Sequence, residues 1–481
     1  MIPQNNLIPG SYTEFDKSAA LQGDPAKPHR VLLVGGVPAA SSGAKLEVTR
    51  IGSEGEALAT WGPSVLSSVA WGFFRVNRRV RVDAIALPEP SAGTAATATI
   101  TASGTATAAG LIVVRLNNVA IEVGAELGDD ADALHAAISA AIDEAASKRP
   151  YELPLSADVT SDPGEVTITA GQKGALGNSH TLSIEGSIEG LTFGVTAFSG
   201  GLGNEDSGDA VAALGDVQYD TIVLGLPEDS WAPWHALMVE RWGPMVQKDG
   251  MLFAAASGTH GALTTLGDGL NWQYLVLLGS GKSPTPPWVW AAQAAAGDTK
   301  NPDTPRPRFG MTLPDCAPPA EGSEFTAEER QLLLEVGVST YRVTPGGQSI
   351  VERLITTYTL DEATGTPDPV YRNLSTMRNL AYLRWSWNAL LERKYSDANV
   401  ADDGVRVAPG KKVITPSVIR GEAVSWFQRM EFDGRVEDFD AFKSLFEVWR
   451  DANDVERMNV ISPPDLINEL VTFATTVAFR L

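Results

Sequence analysis

The fold class is predicted first from the segment Asp220-Thr221-Ile222-Val223-Leu224-Gly225-Leu226-Pro227. A short apolar run that begins after a charged residue and ends at a proline is typical of a buried parallel strand. The same pattern returns downstream, where strands are predicted over Met251–Ala256 and Trp272–Leu278. Helical spacing of apolar residues separates these strands, over Trp231–Val246 and Trp288–Ala296. Strands that alternate with helices through short connections indicate a mostly parallel sheet covered by helices.

The N-terminal part of the chain supplies more of this α/β pattern. Arg30–Gly35 and Val80–Leu87 are predicted strands, and Ser53–Phe74 has helical spacing that is interrupted near Gly62-Pro63. We therefore expect one α/β domain built from residues 25–88 and 204–320.

Composition changes between residues 89 and 203, which are rich in Thr, Ala, Gly and Ser. Leu111–Leu116 and Val119–Val123 flank Asn117-Asn118, a pair that suits a two-residue hairpin turn. Asp132–Lys148 is predicted as an amphipathic helix, with Asp130 or Asp132 as its N-cap. Further strands are predicted over Val166–Ala170, Thr181–Glu185 and Leu191–Phe198. This segment is interpreted as an inserted, outward-facing, β-rich α+β domain.

Residues 321–470 are expected to form a C-terminal α+β domain. Thr326 and Glu329 have the spacing of a capping box, which starts a helix that Gly337 ends. Thr415-Pro416 is predicted as the N-cap and first residue of another helix. The remaining predicted elements are strands over Val338–Val343, Ile350–Thr359 and Val455–Ile461, and helices over Tyr371–Tyr395 and Arg435–Arg450.

The two ends of the chain carry the strongest functional signal. Residues 1–24 lack a helical period and are predicted as an extended arm, with apolar residues Leu7, Ile8, Tyr12 and Phe15. Residues 471–481 alternate with period two and place Val471, Phe473, Val477, Phe479 and Leu481 on one face. The terminal strand either pairs within its own sheet or is donated to a neighbouring subunit, where backbone hydrogen bonds would give affinity.

Length, charge and cysteine content exclude several classes of function. A chain of 481 residues with a formal net charge of −22 is expected to repel phosphate backbones, so direct nucleic-acid binding is not expected. No run of 18 apolar residues and no signal peptide are seen, and no membrane anchor is predicted. The single cysteine, Cys316, excludes an internal disulfide and points to folding in a cytosol.

Motifs for catalysis, cofactors or metals are not found. Gly279–Ser283 follows a strand but has Val276 where a phosphate-binding loop needs glycine. The five histidines are scattered, and Gly128–Asp132 lacks the pattern of a calcium loop. Cys316 lies in a proline-rich loop with no histidine close in sequence. We expect no enzyme activity, no cofactor and no metal.

Four stretches resemble the tail sheath proteins of contractile-tailed bacteriophages, in particular the Mu-like branch. These stretches are Leu7–Tyr12, the strand Val31–Gly35, Thr340–Val343 with Val351–Tyr358, and Thr415–Glu431 together with the terminal strand. The resemblance implies a structural subunit that polymerises as stacked hexameric rings around an inner tail tube. The terminal arms would link neighbouring subunits, and contraction would drive the tube through the host envelope during genome ejection.

The resemblance also implies partners and a location. The partners are other copies of the chain, the tail tube protein, and the baseplate and tail terminator proteins. The location is the virion tail, after assembly in the host cytoplasm. A helix of the C-terminal domain faces the tube in this family, which makes Arg378, Arg384, Arg393 and Lys394 candidate tube-facing residues. They do not share one helical stripe, so a solvated or salt-bridged face is the alternative.

Two other functions stay open from the sequence. The sheath of a related contractile injection machine, such as an R-type bacteriocin, would have the same features. A small-molecule α/β enzyme would instead need a ligand crevice at the carboxyl ends of the parallel strands.

Overall fold

The computed structural model describes residues 27–158, 164–406, 408 and 410–480. Contacts divide these residues into a large unit, residues 29–381 with 466–480, and a small unit, residues 382–465 with 27–28. The arm residues Leu7, Ile8, Tyr12 and Phe15, and the terminal Leu481, lie outside the described residues.

The strands of the described chain, in order, are β1 (Arg30–Val37), β2 (Val48–Ile51), β3 (Arg81–Pro88), β4 (Ala95–Gly104), β5 (Gly110–Leu116), β6 (Val119–Ala125), β7 (Leu155–Asp158), β8 (Glu165–Lys173), β9 (Leu182–Gly186), β10 (Leu191–Ser199), β11 (Thr221–Gly225), β12 (Met251–Ser257), β13 (Leu275–Gly281), β14 (Val338–Val343), β15 (Ser349–Arg353), β16 (Asn399–Val400), β17 (Val413–Ile414), β18 (Val436–Glu437), β19 (Glu447–Arg450), β20 (Met458–Ile461) and β21 (Asp465–Leu466).

The α-helices are α1 (Glu54–Trp61), α2 (Val65–Val76), α3 (Ala131–Lys148), α4 (Ser207–Ala213), α5 (Ala232–Arg241), α6 (His260–Asp268), α7 (Pro287–Asp298), α8 (Ala327–Glu335), α9 (Leu374–Tyr395), α10 (Pro416–Phe432) and α11 (Phe439–Leu445).

An eight-stranded sheet organises the large unit, in the order β15-β14-β13-β12-β11-β1-β3-β2. Within this sheet the six central strands, β14, β13, β12, β11, β1 and β3, are parallel. The edge strands β2 and β15 are antiparallel to their neighbours. All five residues of β11 and all seven of β13 are buried, as the continuous apolar runs predict. The strand order reverses between β1 and β11, and this reversal places a topological switch point there.

Helices α2 and α7 cover the sheet and pack against each other. Every residue of α7 is buried, and nine of the twelve residues of α2 are buried. The predicted interruption near Gly62-Pro63 separates α1 from α2, and Ser64 caps α2 by accepting a hydrogen bond from the Ser67 amide. The mixed α/β and α+β fold class is confirmed.

Residues between β3 and β11 form two smaller sheets, β10-β4-β8-β7 and β6-β5-β9. Helix α3 packs against both sheets, and these elements share a hydrophobic cluster separate from that of the main sheet. Asp130 is the N-cap of α3, and the predicted hairpin turn has Asn117 at φ 52°. Asparagine tolerates this left-handed backbone, which a two-residue hairpin turn requires.

Strands β14 and β15 belong to the main sheet. The sequence places the end of the α/β domain at residue 320, but β14 pairs in parallel with β13 through Leu277 and Val338. Gly337 precedes β14 at φ +81°, where a Cβ atom would lie 2.7 Å from the Cα of Thr357. The close backbone approach fixes the start of the strand, and the sheet extends to Arg353.

Aromatic side chains form the core of the small unit. Trp387 contacts Trp426, and the rings of Phe427 and Phe442 stack with centroids 4.1 Å apart. The helix predicted over Arg435–Arg450 is shorter, because α11 ends at Leu445 and β19 follows. Residues of β19 pair with β20 in an antiparallel hairpin, so tertiary pairing overrides the helical spacing of the aromatic residues.

Candidate functional site

The C-terminal segment, defined here as residues 471–480, exposes apolar side chains to solvent. Phe473 and Phe479 are 83% and 80% exposed, and Val471 and Val477 are exposed on the same alternating positions. No strand is assigned to these residues in the single chain. A monomer rarely leaves so many large apolar side chains together in water, so this segment has the properties of a binding element.

The residues just before this segment are fixed to the large unit. Glu469 accepts a hydrogen bond from the hydroxyl of Ser375, in the first turn of α9. Leu466–Glu469 line a small cleft with Pro305–Pro307 and the start of α9. The C-terminal segment therefore leaves the large unit from a defined position.

Arg378, one of the candidate tube-facing residues, is instead the centre of a buried ion network. Its guanidinium donates to Asp298 Oδ2 at 2.6 Å and to Thr221 Oγ1 at 2.7 Å. Arg308 donates to the other oxygen of Asp298, also at 2.6 Å. Burial alone would raise the pKa of Asp298, but Arg378 and Arg308 outweigh it and lower this pKa to about 2.

The tube-facing assignment of Arg378 is therefore wrong, because only 8% of its side chain is exposed and its donors are used inside the large unit. Arg384 is partly buried, and Arg393 and Lys394 are exposed in the small unit. Lys394 pairs with Glu422 at 2.7 Å. Of the four basic residues, Arg393 and Lys394 are thus exposed, whereas Arg378 is buried and Arg384 partly buried.

Sequence reasoning missed the partners of Arg378. Asp298 is 80 positions from Arg378 and lies at the end of an alanine-rich helix. A carboxylate in such an apolar helix is a local signal that the acid is buried with a cation. The spacing of residues in the sequence does not reveal which arginine or lysine that cation is.

The carboxyl end of β1, beside the switch point, is filled by side chains of the chain itself. Gln172, at the end of β8, accepts a hydrogen bond from the Val65 amide at the start of α2 and donates to Glu205. A Cβ atom at Gly36, on β1, would lie 2.5 Å from both of these side chains. Gln172 and Glu205 thus occupy the switch point at which an α/β enzyme would hold a ligand.

Burial is the main cause that raises the pKa of Glu205, to about 7, and nearby Glu89 adds to it. Its Oε2 has no hydrogen-bond partner among the described residues. This carboxyl group is therefore partly protonated near neutral pH.

Gly279–Ser283 is held by internal hydrogen bonds. Tyr341 donates to the Ser280 carbonyl, and the hydroxyl of Ser283 donates to the Ala317 carbonyl.

Cys316 is buried, and this burial is the main cause that raises the pKa of its thiol. Among the described residues, no group of three His, Cys, Asp or Glu side chains is placed to hold a metal ion.

Among the described helices, none combines the length and the apolarity that a membrane span requires.

Comparison with known families defines the class of this fold. Residues 200–357 match the phage tail sheath protein central domain, and residues 366–480 match the phage tail sheath C-terminal domain. The first match ends after β15, so it includes the two strands that extend the main sheet.

A full-length relative narrows the class further. The chain is 32% identical to the Mu-like prophage FluMu tail sheath protein of Haemophilus influenzae, over 100% of this chain and 99% of the relative. The chain belongs to the Mu-like branch of the phage tail sheath family and is a structural subunit of a contractile tail. The resemblance inferred from the sequence is confirmed.

Solved structures also align over most of the chain. A sheath tail protein of Listeria innocua covers 94% of this chain and is itself covered to 94%, with 12% identity and a TM-score of 0.49. A sheath tail protein of Desulfitobacterium hafniense covers 95% of this chain and is itself covered to 100%, with 12% identity and a TM-score of 0.47.

Proposed function

We propose that the chain polymerises as stacked hexameric rings around an inner tail tube, and that contraction of this polymer drives the tube through the host envelope. Its partners are further copies of itself, the tail tube protein, and the baseplate and tail terminator proteins. It assembles in the host cytoplasm and ends in the virion tail. Its role is mechanical and requires no catalysis, cofactor or metal.

The observation that carries this proposal is the exposed, alternating C-terminal segment. It leaves from a fixed point at Glu469 and carries four large apolar side chains that its own chain does not cover. A strand of this kind gains backbone hydrogen bonds and buries one apolar face when it pairs with a sheet edge in another copy. The N-terminal arm, with Leu7, Ile8, Tyr12 and Phe15, would act in the same way.

The hairpin of β19 and β20 is a suitable acceptor. It is a two-stranded sheet among the described residues, and Trp449 and Ile461 on it are exposed. A two-stranded hairpin is marginally stable in water, and additional strands would stabilise it. Strand addition would therefore benefit both the donor and the acceptor.

The filled switch point supports the non-enzymatic role. Gln172 donates a hydrogen bond to Glu205 and accepts one from the start of α2 at the position where a ligand crevice would lie. An enzyme of this fold would need that space open.

Substitutions in the C-terminal segment test the proposal. Replacement of Val471, Phe473, Val477 and Phe479 by serine should leave a folded chain that forms no tubes in electron micrographs, because the face buried on pairing is lost. The matched control changes Thr472, Ala474, Thr476 and Ala478 on the opposite face to serine, and should still form tubes. Normal tubes from the first variant would refute strand donation.

A further inference from the structure

Five arginines form a basic corner at one edge of the main sheet. This basic corner consists of Arg30, Arg50, Arg78, Arg79 and Arg81. Arg30 and Arg81 are paired neighbours at the starts of β1 and β3. Arg50, on β2, lies opposite Asp83 of β3. Residues 29–88 contain seven Lys or Arg and four Asp or Glu, in a chain whose net charge is −22.

Part of this positive charge is not neutralised by the chain's own carboxylates. Arg81 pairs with Asp83, and Arg78 pairs with Glu54. Arg50 and Arg79 are exposed and form no ion pair within the part of the chain that the structure describes. Two free guanidiniums therefore point into solvent beside three others.

The small unit presents the opposite charge. Residues 431–440, named here the acidic loop, run from the end of α10 through β18 to the start of α11. They contain the exposed residues Glu431, Asp433, Glu437, Asp438 and Asp440. The loop's single cation, Arg435, is buried and lies over the Tyr382 ring, 3.4 Å from its centroid. The five carboxylates are therefore left facing solvent without a cation from the loop itself.

Phe432 gives the acidic loop an apolar anchor. It lies at the end of α10 between Glu431 and Asp433, and its side chain is 91% exposed. Aromatic residues at the centre of a protein interface supply much of its binding energy, and a guanidinium binds favourably over an aromatic face. An exposed phenylalanine flanked in the sequence by two carboxylates therefore suits a surface of arginines.

We propose that the acidic loop of one copy docks on the basic corner of another copy in the assembled sheath. This inference rests on the proposed polymerisation. Copies with a charge of −22 repel each other unless opposite charges meet at the contact, and these two surfaces provide that match. Two different surfaces that bind each other make a head-to-tail contact, and repetition of such a contact builds an open helix when the rotation does not close.

Disulfide trapping in the full-length chain tests the contact directly. A mixture of Arg79→Cys and Asp433→Cys chains should give a crosslinked dimer under mild oxidation. About 1 M salt should lower the yield of this dimer, because screening shortens the range of the electrostatic attraction to about 3 Å. Cys316 is buried, so the background is low. The matched control pairs Arg79→Cys with Glu122→Cys, an exposed residue of β6, and should give no dimer.

Charge reversal supplies a second readout. Arg50→Glu with Arg79→Glu, or Asp433→Lys with Glu437→Lys, should raise the concentration needed for tube assembly about tenfold, which corresponds to about 1.4 kcal/mol. Both reversals in one chain should restore assembly. The control Glu122→Lys with Glu126→Lys makes the same change in charge as the acidic-loop reversal, but elsewhere, and should have little effect.

The outcomes separate the two proposals. If the natural chain forms tubes but the Arg79→Cys and Asp433→Cys chains give no crosslinked dimer, or the combined charge reversal does not restore assembly, this docking contact is overturned and the sheath proposal stands. If the natural chain forms no tubes and the two cysteine variants give no crosslinked dimer, even with a tail tube as template, both proposals are overturned.

Discussion

Replacement of Arg378 by methionine should destabilise the large unit without any assembly partner present. Methionine keeps much of the side chain's length but removes the guanidinium that donates to Asp298, to the Asp220 carbonyl and to Thr221. Asp298 then stays buried with Arg308 as its remaining ion-pair partner. A tube-facing arginine would behave differently, since its loss would affect attachment to the tube and leave stability intact.

The expected loss follows from the geometry of the pair. Removal of one partner of a buried ion pair costs about 3–5 kcal/mol, and the remaining Arg308 places this case near the lower value of about 3 kcal/mol. The pKa of Asp298 is lowered to about 2 although burial alone would raise it, which agrees in direction with a net stabilising interaction of its ionised form with Arg378 and Arg308. In a unit of this size such a loss lowers the unfolding temperature on the order of 5 °C.

Thermal unfolding of the full-length monomer measures this effect, and Arg393→Met is the matched control. Arg393 is exposed on the same helix, so its replacement should change stability by no more than about 0.5 kcal/mol. The lowered pKa means that Asp298 stabilises the fold above about pH 4 and loses this contribution as pH falls toward 2. The difference between the natural chain and Arg378→Met should therefore shrink in acid. Equal unfolding temperatures for the two arginine variants at pH 7 would refute the buried network.

Two further substitutions test packing and burial. Glu205→Gln should stabilise the chain more at pH 8 than at pH 5. Burial raises the pKa of Glu205, so the natural folded chain loses stability as pH rises from about 4.5 through 7, and the glutamine variant does not. Unfolding temperatures of both chains at the two pH values measure this, and a difference that does not change with pH would contradict it. Gly337→Ala should lower the free energy of unfolding, measured with denaturant, by more than about 2 kcal/mol. The new Cβ would clash with the backbone of Thr357, and alanine would also be strained at this positive φ. Gly347→Ala, with a similar φ and open space around the Cβ, should cost about 1 kcal/mol, and equal losses at both glycines would rule out the clash.

Local patterns predicted much of the fold. The apolar runs at Arg30–Gly35 and Asp220–Leu226 became β1 and β11, and the capping box at Thr326 formed as its spacing indicates. Thr415 precedes α10 with Pro416 in its first turn. These signals succeed because each depends on residues within a few positions of one another.

Structure that depends on distant residues was harder to predict. Strand β2 has only four residues and mixed polarity, so no period marks it. The aromatic residues up to Phe446 continue a helical spacing, but β19 forms because β20, about ten positions later, supplies its hydrogen bonds. The boundary at residue 320 failed for the same reason, since β14 joins the main sheet through β13, which lies 57 positions or more before it in the sequence.

The candidate site shows the same division. The alternation of residues 471–480 was visible in the sequence, and the structure places these side chains in solvent. The role of Arg378 was not visible, because its partner Asp298 is 80 positions away. The acidic loop escaped notice because the sequence does not reveal that Arg435 turns inward and Phe432 outward.

A cryo-electron microscopy reconstruction of tubes formed by the full-length chain would show directly whether the C-terminal segment is donated to a neighbouring copy. We expect residues 471–480 of each copy to be hydrogen-bonded as a strand to a sheet edge of a neighbouring copy, with Phe473 and Phe479 buried in the contact. A reconstruction in which these residues stay unpaired, or pair only within their own chain, would rule out strand donation between copies.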